Sequence, residues 1–141
     1  SVRDRDKPAA VMLARRLVAQ GFEIVATSGT AQAISEAGIP CRPANKVREG
    51  RPHIVDMIKN DEIALIVNTT EGKQAIFESR SIRREAVHKR VTYYTTVAAG
   101  LATCDAIAHM NEVDVNRLQD LHHAVSTDTQ TLPALSQGGA S

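Results

Sequence analysis

Strand-type and helix-type segments alternate along most of this chain, and that alternation predicts an α/β fold with a parallel sheet covered by helices on both faces. Two stretches strengthen the prediction. Ile63 to Val67 is a continuous apolar run bounded by polar residues, the pattern of a strand buried on both sides. Phe22 to Thr30, FEIVATSGT, passes from a β-type run directly into short hydroxyl and glycine residues, and a helical pattern follows. In a sheet of this kind ligands bind beyond the carboxyl ends of the strands, so those ends are where function is sought.

The elements follow in order. Ser1 and Val2 read as the end of a strand whose beginning is missing. Asp6 to Gln20 has apolar residues at Val11, Met12, Ala14, Leu17 and Val18, a helical stripe, with Pro8 tolerated in the first turn and Gly21 placed to end it. Phe22 to Ala26 is a strand, and Thr30 is expected to cap a short helix over Ala31 to Ala37 that Gly38 stops. Ile39 to Ala44 is a weak strand, and Pro40 and Pro43 put it at a sheet edge.

Asn45 to Pro52, NKVREGRP, is polar and reads as a surface loop, and Ile54, Val55 and Ile58 give His53 to Lys59 helical spacing. After the Ile63 to Val67 strand comes Asn68-Thr69-Thr70. Gly72 to Phe77 starts a helix, Ile82 to Arg90 continues in helical composition, and a break is expected near Ser79 to Ser81. Val91 to Tyr94 is a strand, Thr96 to Met110 an Ala-rich helix, and Leu118 to Val125 a short amphipathic helix. Ser126 to Ser141 has little to bury and reads as a flexible tail.

With 141 residues the chain is expected to form one domain, and 43% hydrophobic against 23% charged residues is a soluble composition. A net charge near +1, two Tyr, two Phe and no Trp exclude both a general electrostatic field for nucleic acid and a stacking platform for single strands. No segment has the length of a membrane span and no signal-peptide pattern opens the chain, so the expectation is a cytoplasmic protein without membrane or nucleic-acid partners. Cys41 and Cys104 have no second Cys or His at metal spacing and are read as reduced, buried thiols, with no metal site.

Groups that suit a phosphate recur where strands end. Thr27, Ser28 and Thr30 supply hydroxyls beside the positive end of a helix, and Gly29 removes a side chain that would block close approach. Lys7, Lys46, and Asn68 with Thr69 and Thr70 fall at or beside other strand ends. Each alone is equally an ordinary helix cap or a solvated surface lysine, but together they describe a compact site for a phosphorylated small molecule. Catalytic residues are not apparent. Asp6, Asp56, Asp61 and Asp105 read as solvated or capping, the histidines have no acid or nucleophile partner in sequence, and His122 and His123 point to different helix faces. The chain reads as a binder.

The segments SVRDRDK, GFEIVATSGT, NKVREGRPHIVDMIKN, LIVNTTEGK and SIRREAVHKRVTYYTT together resemble the allosteric, methylglyoxal synthase-like domains that end the large subunit of carbamoyl phosphate synthetases. The resemblance covers about residues 1 to 125, with NKVREGRPHI and SRSIRR its most specific parts, and sets 126 to 141 apart as a tail. It implies a three-layer α/β/α, Rossmann-like fold with a five-stranded parallel sheet, the first strand cut short. It also implies a parent ligase, glutamine-hydrolysing and dependent on ATP with Mg or Mn, that serves pyrimidine and arginine biosynthesis. Catalysis would lie elsewhere in that parent, in synthetase domains of the same chain and a small glutaminase subunit.

This domain would carry no cofactor and would act as a switch. UMP and IMP would bind at Lys7, Thr27, Thr30, Lys46, Asn68, Thr69 and Thr70, beside Ser28 and Gly29, and ornithine would act from the boundary near Thr95. The alternatives are a free-standing methylglyoxal synthase-type phosphate lyase and a non-catalytic partner-binding domain. The lyase would need carboxylates at the strand ends, where this chain has Asn68-Thr69-Thr70, and the lyase family's Gly-Gly-Asp loop is replaced by Arg-Glu-Gly-Arg-Pro.

Overall fold

The computed structural model describes residues 1–113; the helix expected over 118–125 and the tail expected over 126–141 lie outside them. Ser1–Cys104 is one compact unit, and a second begins at Asp105. The elements of the first are α1 (Lys7–Ala19), β1 (Val25–Thr27), α2 (Ser28–Glu36), β2 (Arg42–Ala44), α3 (Ile54–Lys59), β3 (Leu65–Val67), α4 (Lys73–His88) and β4 (Thr92–Tyr94). Short 3-10 turns at Asp4–Asp6 and Val47–Glu49 join them. A further helix, α5, begins at 97, and helical residues continue to 113.

The strands are parallel, as the alternation predicts, but they form two pairs rather than one five-stranded sheet. β1 pairs with β2 in the register Val25 to Arg42, and β3 with β4 in the register Leu65 to Thr92. The physical reason lies between them. No strand of the described residues bridges β1 and β3, and only Ser1 reaches across: its amine donates to the Val67 carbonyl (3.1 Å) and its carbonyl accepts from the Thr69 N–H (3.0 Å). β2 pairs only with β1, the edge position its prolines require.

Each strand pair has its own core. Ala14, Ala26, Ala31, Ile34 and Ile39 pack under β1 and β2. Val55, Ile58, Ile66, Ile82 and Ala86 pack under β3 and β4. A third cluster of Leu13, Val97 and Cys104 seats the start of α5 on α1 and β3. Gly100 permits that approach, because a Cβ there would lie 2.9 Å from Leu13 Cδ2 and 3.1 Å from Val67 Cγ2.

Three local expectations need correction. The break near Ser79 to Ser81 is absent, and α4 runs unbroken because Ser79 Oγ donates to the Ala75 carbonyl and Ser81 Oγ to that of Glu78, satisfying both hydroxyls within the helix. Thr30 does not cap a helix starting at Ala31; α2 starts at Ser28 with Thr27 at the cap position, and the Thr30 hydroxyl accepts from the Val2 N–H instead (3.1 Å). Cys41 is only partly buried, whereas Cys104 is enclosed, and the two form no disulfide with each other.

Candidate functional site

The sequence-predicted residues meet in one place. Lys7, Thr27, Gly29, Thr30, Lys46 and Thr69 line a cleft of about 280 Å³ at the carboxyl ends of β1 and β3. Asn68 and Thr70, with Lys46 and Thr69 again, line an adjoining recess of about 50 Å³. The combined opening just passes the lower limit of small-molecule sites, roughly 300 Å³. Ser28 and Thr95 are exposed and line neither space.

Local structure explains how these side chains converge. β1 delivers Thr27 and then turns without interruption into α2, whose first turn lines the cleft at Gly29 and Thr30. Lys7 opens α1, and its ammonium would lie 3.1 Å from a Cβ at Gly29, so the glycine admits a cation to the start of α2. Lys46 stands at the head of the Val47–Glu49 turn, where its own N–H donates to Glu49 Oε1 (2.8 Å). The loop that follows is braced by Asp56, which accepts from the His53 N–H and from Arg51. The Arg51 hydrogen bond first, then that from His53, holds the Asp56 carboxyl below the usual carboxylate range against desolvation.

Electrostatically the cleft is mixed. Lys7 pairs with Asp4, which also lines it, and hydrogen bonding to Lys7 holds the Asp4 carboxyl low, with Lys46 adding attraction at longer range. Lys46 makes no ion pair with another described residue. Arg48 pairs with Glu78 (3.5 Å) and so ties the Lys46 loop to α4 beside the recess.

Most of the hydroxyls are already engaged, which the sequence does not reveal. Thr27 Oγ1 donates to Ser1 Oγ (2.9 Å), Thr30 Oγ1 accepts from the Val2 N–H, and Thr69 Oγ1 accepts from the Arg3 N–H (2.9 Å). Their first task is to hold the segment Ser1 to Arg3 as a wall of the cleft. Asn68 is likewise committed: both hydrogens of its Nδ2 are spent, on Ser79 Oγ (3.0 Å) and Tyr93 OH (2.9 Å). Its Oδ1 is then the amide atom left to meet a ligand, as an acceptor. Sequence reasoning puts the segment Ser1 to Lys7 at the site but singles out only Lys7 within it, and it misses the cleft carboxylate Glu71 and the supports Ser79 and Tyr93. Residues of these types carry no local signal, and their contacts span long stretches of chain.

A parallel α/β domain that gathers cations and a helix start at its strand ends offers the groups that a small anion would need. The family model for the MGS-like domain matches residues 9–95, and the chain belongs to that family. The carbamoyl phosphate synthase large chain of Pseudomonas aeruginosa is 57% identical over 125 residues, which is 89% of this chain and 12% of that one. That of Pseudomonas putida is 58% identical over 122 residues, 86% of this chain and 11% of the relative. The Halomonas eurihalina large chain is 52% identical over 126 residues, 89% and 12% of the respective lengths. This chain therefore spans about an eighth or less of the curated relatives it matches. No helix of the described residues is long and apolar enough to cross a membrane.

Proposed function

We propose that this chain is the regulatory domain of a carbamoyl phosphate synthase large chain and that its cleft binds a nucleoside monophosphate, UMP or IMP. The observation that carries the reading is the convergence of Lys7, Lys46 and the start of α2 on one opening at the strand ends. Lys46 and the α2 N–H groups would take the phosphate by charge-assisted bonds, and Asn68 Oδ1 and Thr70 would face the nucleoside in the recess. The domain needs no cofactor. ATP and its Mg or Mn ion belong, on this reading, to the synthetase domains of the parent, which hydrolyses glutamine through a small subunit and feeds pyrimidine and arginine biosynthesis in the cytoplasm.

The regulatory step is differential affinity. A bound nucleotide alters a distant reaction only by binding one state of the parent more tightly than the other, and typical couplings are about 1 to 3 kcal/mol. Isothermal titration of the chain with UMP and with IMP tests the reading, and saturable binding that Lys46→Ala weakens supports it. Absence of binding by both nucleotides would end it.

Asp4 at the cleft is the one feature that favours a phosphate lyase. It is exposed and held ionised against Lys7, however, rather than poised as a base near neutrality. Phosphate release from dihydroxyacetone phosphate that survives repurification and is lost in Asp4→Asn would establish that alternative.

A further inference from the structure

The polar cleft holds charges of both signs, and they are sorted by exposure. Lys7 and Lys46 are half-buried, whereas Asp4 and Glu71, the two carboxylates that line it, are exposed, the Asp4 side chain at 95%. The cations sit within the opening and the carboxylates at its mouth. Local structure fixes both acids there. Asp4 opens the 3-10 turn before α1, in a segment that the Arg3 N–H ties to Thr69 Oγ1 (2.9 Å). Glu71 precedes Gly72, whose positive φ of 88° turns the chain into α4.

Most of the positive charge near the opening is already answered. Arg3 pairs with Asp6 (2.6 Å), Lys7 with Asp4, and Arg48 with Glu78 (3.5 Å). Lys46 and Glu71 make no ion pair with another described residue. Hydrogen bonding to Lys7 holds the Asp4 carboxyl below the ordinary carboxylate range, so it is charged wherever a phosphomonoester is a dianion. An ordinary basic site gains affinity with each phosphate added to its ligand, because every one brings charge for the cations to meet. Here the first phosphate meets cations. With the nucleoside on the recess side, any further phosphate extends past Lys7 towards the mouth, where Asp4 and Glu71 stand.

We propose that Asp4 and Glu71 make the cleft a charge filter, which takes one phosphomonoester at Lys7, Lys46 and the start of α2 and disfavours the same nucleoside carrying two or three phosphates. The inference rests on the reading of the cleft as a nucleoside monophosphate site and assigns these two carboxylates its selectivity. It gives the site what a sensor beside an ATP-consuming reaction needs, since nucleoside triphosphates share every group of the monophosphate and differ by added negative charge. Repulsion between exposed charges is modest for each pair, so the discrimination comes from both acids acting on the same added phosphates.

The test follows the amide resonances of Gly29 and Thr30, which line the cleft, while the chain is titrated without divalent cations. One series is UMP, UDP and UTP, and the other is inorganic phosphate, pyrophosphate and tripolyphosphate. Affinity should fall along each series, about tenfold from first to last, the reverse of an ordinary basic site. Glu71→Gln should tighten UTP several-fold and move UMP by less than about twofold. Asp4→Asn, which also frees Lys7, should tighten both and UTP the more. Added salt should narrow the UMP-to-UTP ratio, because exposed charges are screened over about 8 Å at physiological ionic strength. Affinity that rises with phosphate number, or a ratio unaltered in both variants, would overturn the filter. UMP binding with the order reversed would remove the filter and leave the nucleotide reading, and the expected order among the inorganic anions with no UMP binding would do the opposite.

Discussion

The two strand pairs are built alike and packed differently. Under β1 and β2, three of the five core residues are alanine, whereas under β3 and β4 four of the five are isoleucine or valine and Ile58 is fully enclosed. Small side chains let α1 and α2 sit close to β1, and that closeness brings Lys7 against Gly29 at the start of α2. Bulky ones give the second pair more apolar contact per residue. The first pair therefore supplies the cation-rich half of the site, and the second supplies more of the stability.

The sharpest way to break that contrast is to remove bulk from each side. Ile58→Ala should cost about 3 to 4 kcal/mol in a urea titration, within the range for emptying a buried aliphatic site. Ile34→Ala should cost less, near 2 kcal/mol, because its neighbours are mostly alanines that forfeit fewer contacts. Equal losses would mean that both pairs hold the unit together to the same degree.

Function should divide the other way. Lys46→Ala should weaken UMP binding by about 1 to 3 kcal/mol, the scale of a lost charge-assisted bond, while the urea midpoint stays put because the residue stands in a loop. Unchanged binding by isothermal titration would remove Lys46 from the pocket.

Acidity probes the junction between the pairs. The Ser1 ammonium has a folded pKa of about 6, below its usual value of 8.0. The unfolded chain therefore holds more protons between these values, and stability falls as the pH is lowered from 8 to 6 and levels off below that. For a partly exposed group the change should be about 1 to 2 kcal/mol. Acetylation of the amine, which removes the charge, should abolish the slope between those pH values in urea titrations.

How much of this was legible beforehand depended on how local each signal is. The stripe Val11, Met12, Ala14, Leu17 and Val18 marks α1 because helix periodicity is a property of neighbours. Lys7, Lys46 and Thr69 could be placed at one site because parallel alternation sends every strand end to the same edge. What stayed hidden was decided by partners far away in sequence. Thr30 resembles a cap until Val2 takes its hydroxyl, and Asn68 resembles a free donor until Ser79 and Tyr93, the latter 25 positions on, use both its hydrogens. The serines of α4 resemble a break because composition does not tell whether a hydroxyl will bond back into its own helix.

Thr30→Ala then separates the two readings of that residue. As a cap it would act on α2 alone, but as the partner of Val2 it should cost about 1 kcal/mol and speed amide exchange at Val2 more than within α2. Exchange faster in the first turn of α2 and unaltered at Val2 would restore the cap reading.

The smallest effect on the domain itself is expected at Thr95, which follows β4, is exposed, and lines neither the cleft nor its recess. Thr95→Ala should change stability by less than about 0.5 kcal/mol, as surface substitutions do, and should leave UMP binding by the chain intact. Its position at the carboxyl end of β4, whose Tyr94 carbonyl accepts from the Asn68 N–H, nevertheless puts it one residue from the strand that supports the recess. On the proposed reading Thr95 faces the synthetase part of the parent, where a hydroxyl buried at an interface can contribute as much to a coupling as any other neutral hydrogen bond, about 1 kcal/mol. In the full-length parent, Thr95→Ala should therefore blunt the ornithine response of carbamoyl phosphate synthesis several-fold more than it alters inhibition by UMP. An unaltered ornithine response would take Thr95 out of the coupling and leave the strand-end cleft as the regulatory contact of this domain.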